Sequence, residues 1–114
     1  MENYYVIIQK QISSLEVMNK VRPEHLTYLK EVHNKGELIV AGRYKNGTGG
    51  LIIVCTGNYE RALEIAQNDP YILNDVRDFT ILEYGKFDPQ SVPYIEYSMV
   101  IKPTSIINDS TIFT

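Results

Sequence analysis

His25 and Asp69 are the residues of this chain whose types suit proton transfer. An imidazole with an ordinary pKa of about 6.5 gains and loses a proton near neutrality. A carboxylate bonded to its ring holds one tautomer and steadies the imidazolium that forms. The two lie far apart in the sequence, so contact between them depends on the fold. Each also has a plain structural reading. His25 sits at the border of a helical stripe of Leu26, Leu29 and Val32, where an imidazole often just bonds a neighbour. Asp69 precedes Pro70, a common start of a loop.

Two arginines are candidates for holding an anion, because a guanidinium donates forked hydrogen bonds. Arg22 stands just before the helix expected around His25, and Arg43 lies in an otherwise apolar strand. Gly47, Gly49 and Gly50 resemble a phosphate loop only superficially. They join two strands and lack the Lys-Ser/Thr pair, so they read as a hairpin tip. His25 and His33 are too far apart to ligate one metal from adjacent helical turns, and there is no cysteine pair. The single cysteine, Cys55, reads as an inert strand thiol that cannot form an internal disulfide. That fits a reducing cytoplasm.

Composition narrows the setting. The chain has 114 residues, enough for one domain, with 44% hydrophobic and 22% charged residues, a soluble globular balance. Net charge is −3 and no basic run stands out, so neither nucleic-acid binding nor a polybasic membrane anchor is expected. The longest apolar run, residues 51–55, is far short of the ~20 a spanning helix needs. The first residues lack the basic start and apolar stretch of a secretion signal. Nine tyrosines without a tryptophan are a weak pocket signal.

The elements that must position these residues follow from pattern. Residues 4–10 are β-branched and aromatic and predict a strand. Residues 11–21 read as a polar connection. Pro23 suits the first position of a helix over 23–35, with Glu24 at its positive end and Gly36 as its stop. Strands follow at 37–45 and 51–56 around the glycine-rich tip. Asn58 caps a helix whose apolar spacing is Tyr59, Ala62, Leu63 and Ala66, and which ends near Asn68. After a connection over 70–75, residues 76–87 form a fourth strand.

The order βαββαβ predicts an α+β, ferredoxin-like core, an antiparallel sheet with two helices on one face. Strands as apolar as residues 4–8 and 51–55 are expected to bury both faces. The second cover then comes most economically from another copy, as a homodimer closing into an α/β barrel. Residues 1–87 form this domain. Residues 88–114 form a C-terminal extension with an extra strand at 94–101, where Ile95, Tyr97, Met99 and Ile101 alternate.

Several segments together resemble the YCII-related family. They are R-x-x-H-L at 22–26, GELIVAG at 36–42, GGLIIV at 49–54, Ala62 and Ala66, and D-P-Y at 69–71. The likeness spans residues 4–87 and agrees with the fold read from the pattern. It implies a dimeric α+β barrel whose subunits each carry a His and an Asp facing a pocket, which fall here on His25 and Asp69. Tyr71 joins Arg22 and Arg43 as a candidate substrate-binding residue. One relative eliminates chloride from a chlorinated hydroxylated aromatic, and similar barrels isomerise muconolactones. Both reactions start with proton removal, which needs neither metal nor nucleotide. The chain departs from the family at Arg43, where many relatives have proline after Ala-Gly, and in the longer extension from Asp88 onward.

The expectation is a small cofactor-independent lyase or isomerase. His25 is the base, Asp69 its orienter, and Arg22 or Arg43 anchors an anion. The alternative is a ligand-binding or interaction module that keeps the barrel without chemistry.

Overall fold

Residues β1 (Asn3–Gln11), α1 (Leu15–Asn34), β2 (Leu38–Arg43), β3 (Gly49–Thr56), α2 (Tyr59–Gln67), α3 (Pro70–Leu73) and β4 (Arg77–Tyr84) follow one another along the chain. The computed structural model describes residues 3–85 and residue 90. Among these, the strands form a four-stranded antiparallel sheet in the order β2-β3-β1-β4. This is the expected ferredoxin-like arrangement. The predicted strand at 94–101 and Phe87 lie outside the described residues.

The register assigns each strand residue to a face. Tyr5, Ile7 and Gln9 of β1 pair with Val54, Ile52 and Gly50 of β3, and with Glu83, Ile81 and Phe79 of β4. Strand side chains alternate, so all of these lie on one face. Tyr5, Ile7, Ile52 and Val54 pack there with Val32 of α1 and with Ala62, Ile65 and Ala66 of α2. That cluster is the main core. The opposite face carries Val6, Ile8, Leu51 and Ile53, half-buried, with Val40, Leu82 and Tyr84 exposed. Among the described residues no element covers it.

The first helix corrects the sequence reading. It begins at Leu15, not Pro23, with the Ser14 side chain accepting a hydrogen bond from the Val17 amide. Pro23 therefore lies inside the helix, and Glu24 and Arg22 lie within it too. An interior proline removes one backbone bond at a penalty of about 3 kcal/mol. Tertiary packing outweighs it. Met18, His25 and Val32 are the buried residues of α1, one every two turns, and they press the whole length against the sheet and α3. His25 thus stands at the centre of the buried seam, not its border, while Leu26 is exposed. The stop at Gly36 is as expected, with a φ of 78° that favours glycine.

The second correction is residues 70–75. Pro70–Leu73 form a short helix, capped by the Asp69 side chain on the Tyr71 amide. Pro70 takes the first helical position, where its missing N–H is no loss.

Candidate functional site

Four elements meet where α1, α3, β1 and β4 converge. α1 contributes His25 from its middle, 7% exposed. The turn into α3 contributes Asp69, 1% exposed. The two sequence-selected residues touch: His25 Nδ1 lies 2.7 Å from Asp69 Oδ1. That same oxygen accepts the Tyr71 backbone N–H at 2.9 Å. One carboxylate therefore caps α3 and orients the imidazole. The loop-start reading of Asp69 holds, and the same side chain also meets the imidazole.

Gln9 and Arg77 complete the arrangement, and sequence reasoning missed both. Gln9 Nε2 donates to Asp69 Oδ2 at 2.8 Å, and Arg77 Nη1 donates to Gln9 Oε1 at 2.9 Å. Gln9 is fully buried and Arg77 is 4% exposed. Tyr71 lies against both an imidazole and a guanidinium. Its ring stacks on His25 at 3.9 Å, and the Arg77 guanidinium lies 4.5 Å from the ring centroid. A signal for these residues was present. Gln9 follows Tyr5 and Ile7 at period two, so it had to point inward, and Arg77 shares a face with Phe79 and Ile81. A glycine inside a strand marks a close approach. A Cβ on Gly50 would lie 2.6 Å from Arg77 Nη1 and 2.7 Å from the Gly42 carbonyl oxygen.

His25 and Tyr71 line a cavity of ≈ 230 Å³ with Arg22, Arg43 and Arg77, over an apolar floor that includes Leu29, Ala41 and Ile52. All five sequence-selected candidates are thus at one place, four on its wall and Asp69 behind His25. Arg22 precedes His25 by nearly one helical turn, which puts both on the same side of α1. Arg43 pairs with Gly50 and so shares the helix-facing side of the sheet. No carboxylate is among the described lining residues. An acidic chain thus gathers three guanidinium groups at one hollow, a field that draws anions. Burial pulls the Arg77 guanidinium below its ordinary pKa; Tyr71 and Asp69 oppose that, and the cations Arg43 and Arg22 add to it. It stays charged at any physiological pH.

Because Nδ1 is engaged by Asp69, Nε2 is the ring atom left for a molecule in the cavity. The arrangement can take a proton from a bound acid and hold the resulting anion beside guanidinium groups. Among the described residues, no three His, Cys, Asp or Glu side chains gather as a metal-binding group. No helix there is long and apolar enough to cross a membrane.

The family model described as the YCII-related domain matches residues 3–84. Among solved structures, the chain is similar to a 5-chloro-2-hydroxyhydroquinone dehydrochlorinase from Burkholderia phenoliruptrix AC1100 in complex with 2,5-dihydroxybenzoquinone. The TM-score is 0.64 and the identity 20%, covering 72% of this chain and 93% of that one. At that identity the likeness establishes the fold. No curated protein matches the chain.

Proposed function

The chain belongs to the YCII-related domain family, and from that premise we propose a small enzyme of the lyase or isomerase type, working without a cofactor on a small anionic substrate. The observation that carries the proposal is the 2.7 Å contact between His25 and Asp69 at the wall of an arginine-lined cavity. In this reading Nε2 of His25 removes a proton from a phenol or from a carbon next to a carbonyl. The electron pair stays on the substrate as a phenolate or enolate, held by Arg22 and Arg43. It then either expels a leaving group or recaptures the proton at another carbon. Asp69 keeps the ring oriented throughout. Tyr71 forms part of the wall against which a flat substrate stacks. The similar structure's enzyme is named for removing chloride from a hydroxylated ring, which suits this chemistry.

Turnover of chlorinated hydroquinones and of unsaturated lactones tests the proposal. His25→Gln is expected to lower kcat by about 10²–10⁴-fold while binding persists. Arg22→Ala or Arg43→Ala is expected to weaken binding of an anionic product about tenfold or more. Saturable binding with no turnover across both substrate classes would favour the non-catalytic module.

The functional unit we propose is a homodimer, on the strength of the uncovered apolar face that carries Val6, Ile8, Ile53 and Leu82. Leu82→Lys is expected to yield monomers in sedimentation, and an unchanged mass would remove that surface as the interface. The single cysteine supports a reducing cytoplasm as its location. We place the domain boundary after residue 87, with 88–114 as an extension.

A further inference from the structure

We propose that Arg77 is a positioning residue for the His25–Asp69 pair: its buried charge, delivered through Gln9, fixes the Asp69 carboxylate as an acceptor and the His25 ring as the Nδ1–H tautomer, with the lone pair on Nε2. The argument starts from an anomaly. A buried guanidinium is normally paired with a carboxylate. Arg77 is 4% exposed, yet among the described residues it makes no salt bridge, and its Nε has no hydrogen-bond partner. Its strong bond goes to an uncharged amide, that of Gln9, and its Nη2 lies 3.9 Å from Met18 Sδ. The carboxylate that balances it, Asp69, lies one side chain further on.

Donor and acceptor rules then fix the chain of bonds. A guanidinium only donates, so Gln9 must present Oε1 to Arg77. The other end of that amide is NH2, and it must donate to Asp69 Oδ2. Asp69 Oδ1 already receives the Tyr71 backbone N–H. Donors thus reach both oxygens of this carboxylate, which serves as an acceptor throughout. The nitrogen facing it, His25 Nδ1, therefore carries the hydrogen, and in the neutral ring Nε2 carries the lone pair.

Placing the charge behind a glutamine matters. A forked Arg–Asp pair would also occupy Oδ1, where His25 and the Tyr71 amide both bond. Through Gln9, the cation supports the negative charge and leaves that oxygen open. Gly50 supplies the space in which the guanidinium lies.

The inference rests on the reading of His25 as the base, but its test needs no turnover. Nitrogen-15 NMR of the imidazole ring at neutral pH distinguishes a protonated Nε2 from one with a lone pair. The full-length protein is expected to show Nδ1–H and a bare Nε2. In Arg77→Met the bare Nε2 resonance is expected to be lost, and Arg77→Lys, which keeps the charge, is expected to retain it. A bare Nε2 in folded Arg77→Met would overturn the proposal. So would its loss in both variants alike, since that marks packing rather than charge. Should Arg77→Met fail to fold, Gly50→Ala displaces the guanidinium from Gln9, and an unchanged ring spectrum there overturns it equally. Absence of turnover together with a bare Nε2 would sink the lyase or isomerase reading and leave this one standing.

Discussion

The helix-covered face of the sheet has two ends, and a single strand runs through both. Tyr5 and Ile7 of β1 sit among Val54, Ala62, Ile65 and Ala66. Gln9, one inward position further along, sits among Asp69 and Arg77. The first end is apolar and needs no partners for its side chains. The second buries an amide, a carboxylate, a guanidinium and an imidazole, each of which loses water on folding. Apolar side chains of similar volume are often as stable or more so at such positions. Stability alone therefore explains the first end and not the second, and the difference marks the polar end as the candidate site.

Breaking the polar end should have the largest effect. Asp69→Ala removes the α3 cap and leaves buried Arg77 without its balancing charge. It is expected to destabilise by about 3–5 kcal/mol in urea unfolding. A loss under about 1 kcal/mol would show that the network is not coupled to the fold. Ile7→Ala at the apolar end is expected to lose about 2–5 kcal/mol, mostly as a cavity. Per folded molecule, that variant should bind an anion as tightly as the parent protein, which calorimetry can check. Equal weakening of both would erase the distinction between the ends.

Two strand glycines sharpen the comparison. Gly50→Ala forces a methyl group against Arg77 Nη1 and the Gly42 carbonyl oxygen, and overpacking of this kind costs about 1–3 kcal/mol. Gly42→Ala meets nothing within 4 Å and is expected to stay within about 0.5 kcal/mol of the parent protein. Thermal melts of the two variants separate a local clash from a general intolerance of side chains in these strands.

A small, pH-dependent effect belongs to the rim of the apolar end. Arg61 of α2 grips Glu37 with two bonds of 2.8 and 2.7 Å, and this holds the Glu37 carboxyl below its ordinary pKa of 4.5. A depressed carboxylate stabilises the fold above its unfolded pKa and loses that contribution as pH falls through the folded one. The window therefore lies below pH 4.5. Both side chains are partly exposed, so the pair contributes about 1 kcal/mol or less. Glu37→Gln should remove that much at neutral pH and flatten the stability profile below pH 4.5, as read by acid titration of the unfolding midpoint.

Residue order alone determined the strands, the hairpin, the second helix and hence the ferredoxin-like sheet, because alternation and turn chemistry are local signals. It also singled out His25, Asp69, Arg22, Arg43 and Tyr71. Local signals misled at Pro23, which marks a helix start by its own preference. The buried seam of Met18, His25 and Val32 overrides that preference, and it takes a sheet to bury a seam. Only the tertiary structure could decide that His25 and Asp69 touch, since the contact joins α1 to the turn before α3 across the fold. It alone revealed Gln9 and Arg77 as members of the site. A polar residue in a strand shows its inward direction by parity, but what it meets there is set by register with β3 and β4. Gly50 illustrates the limit: in sequence it ends a turn, and in the fold it is the gap that admits a charge.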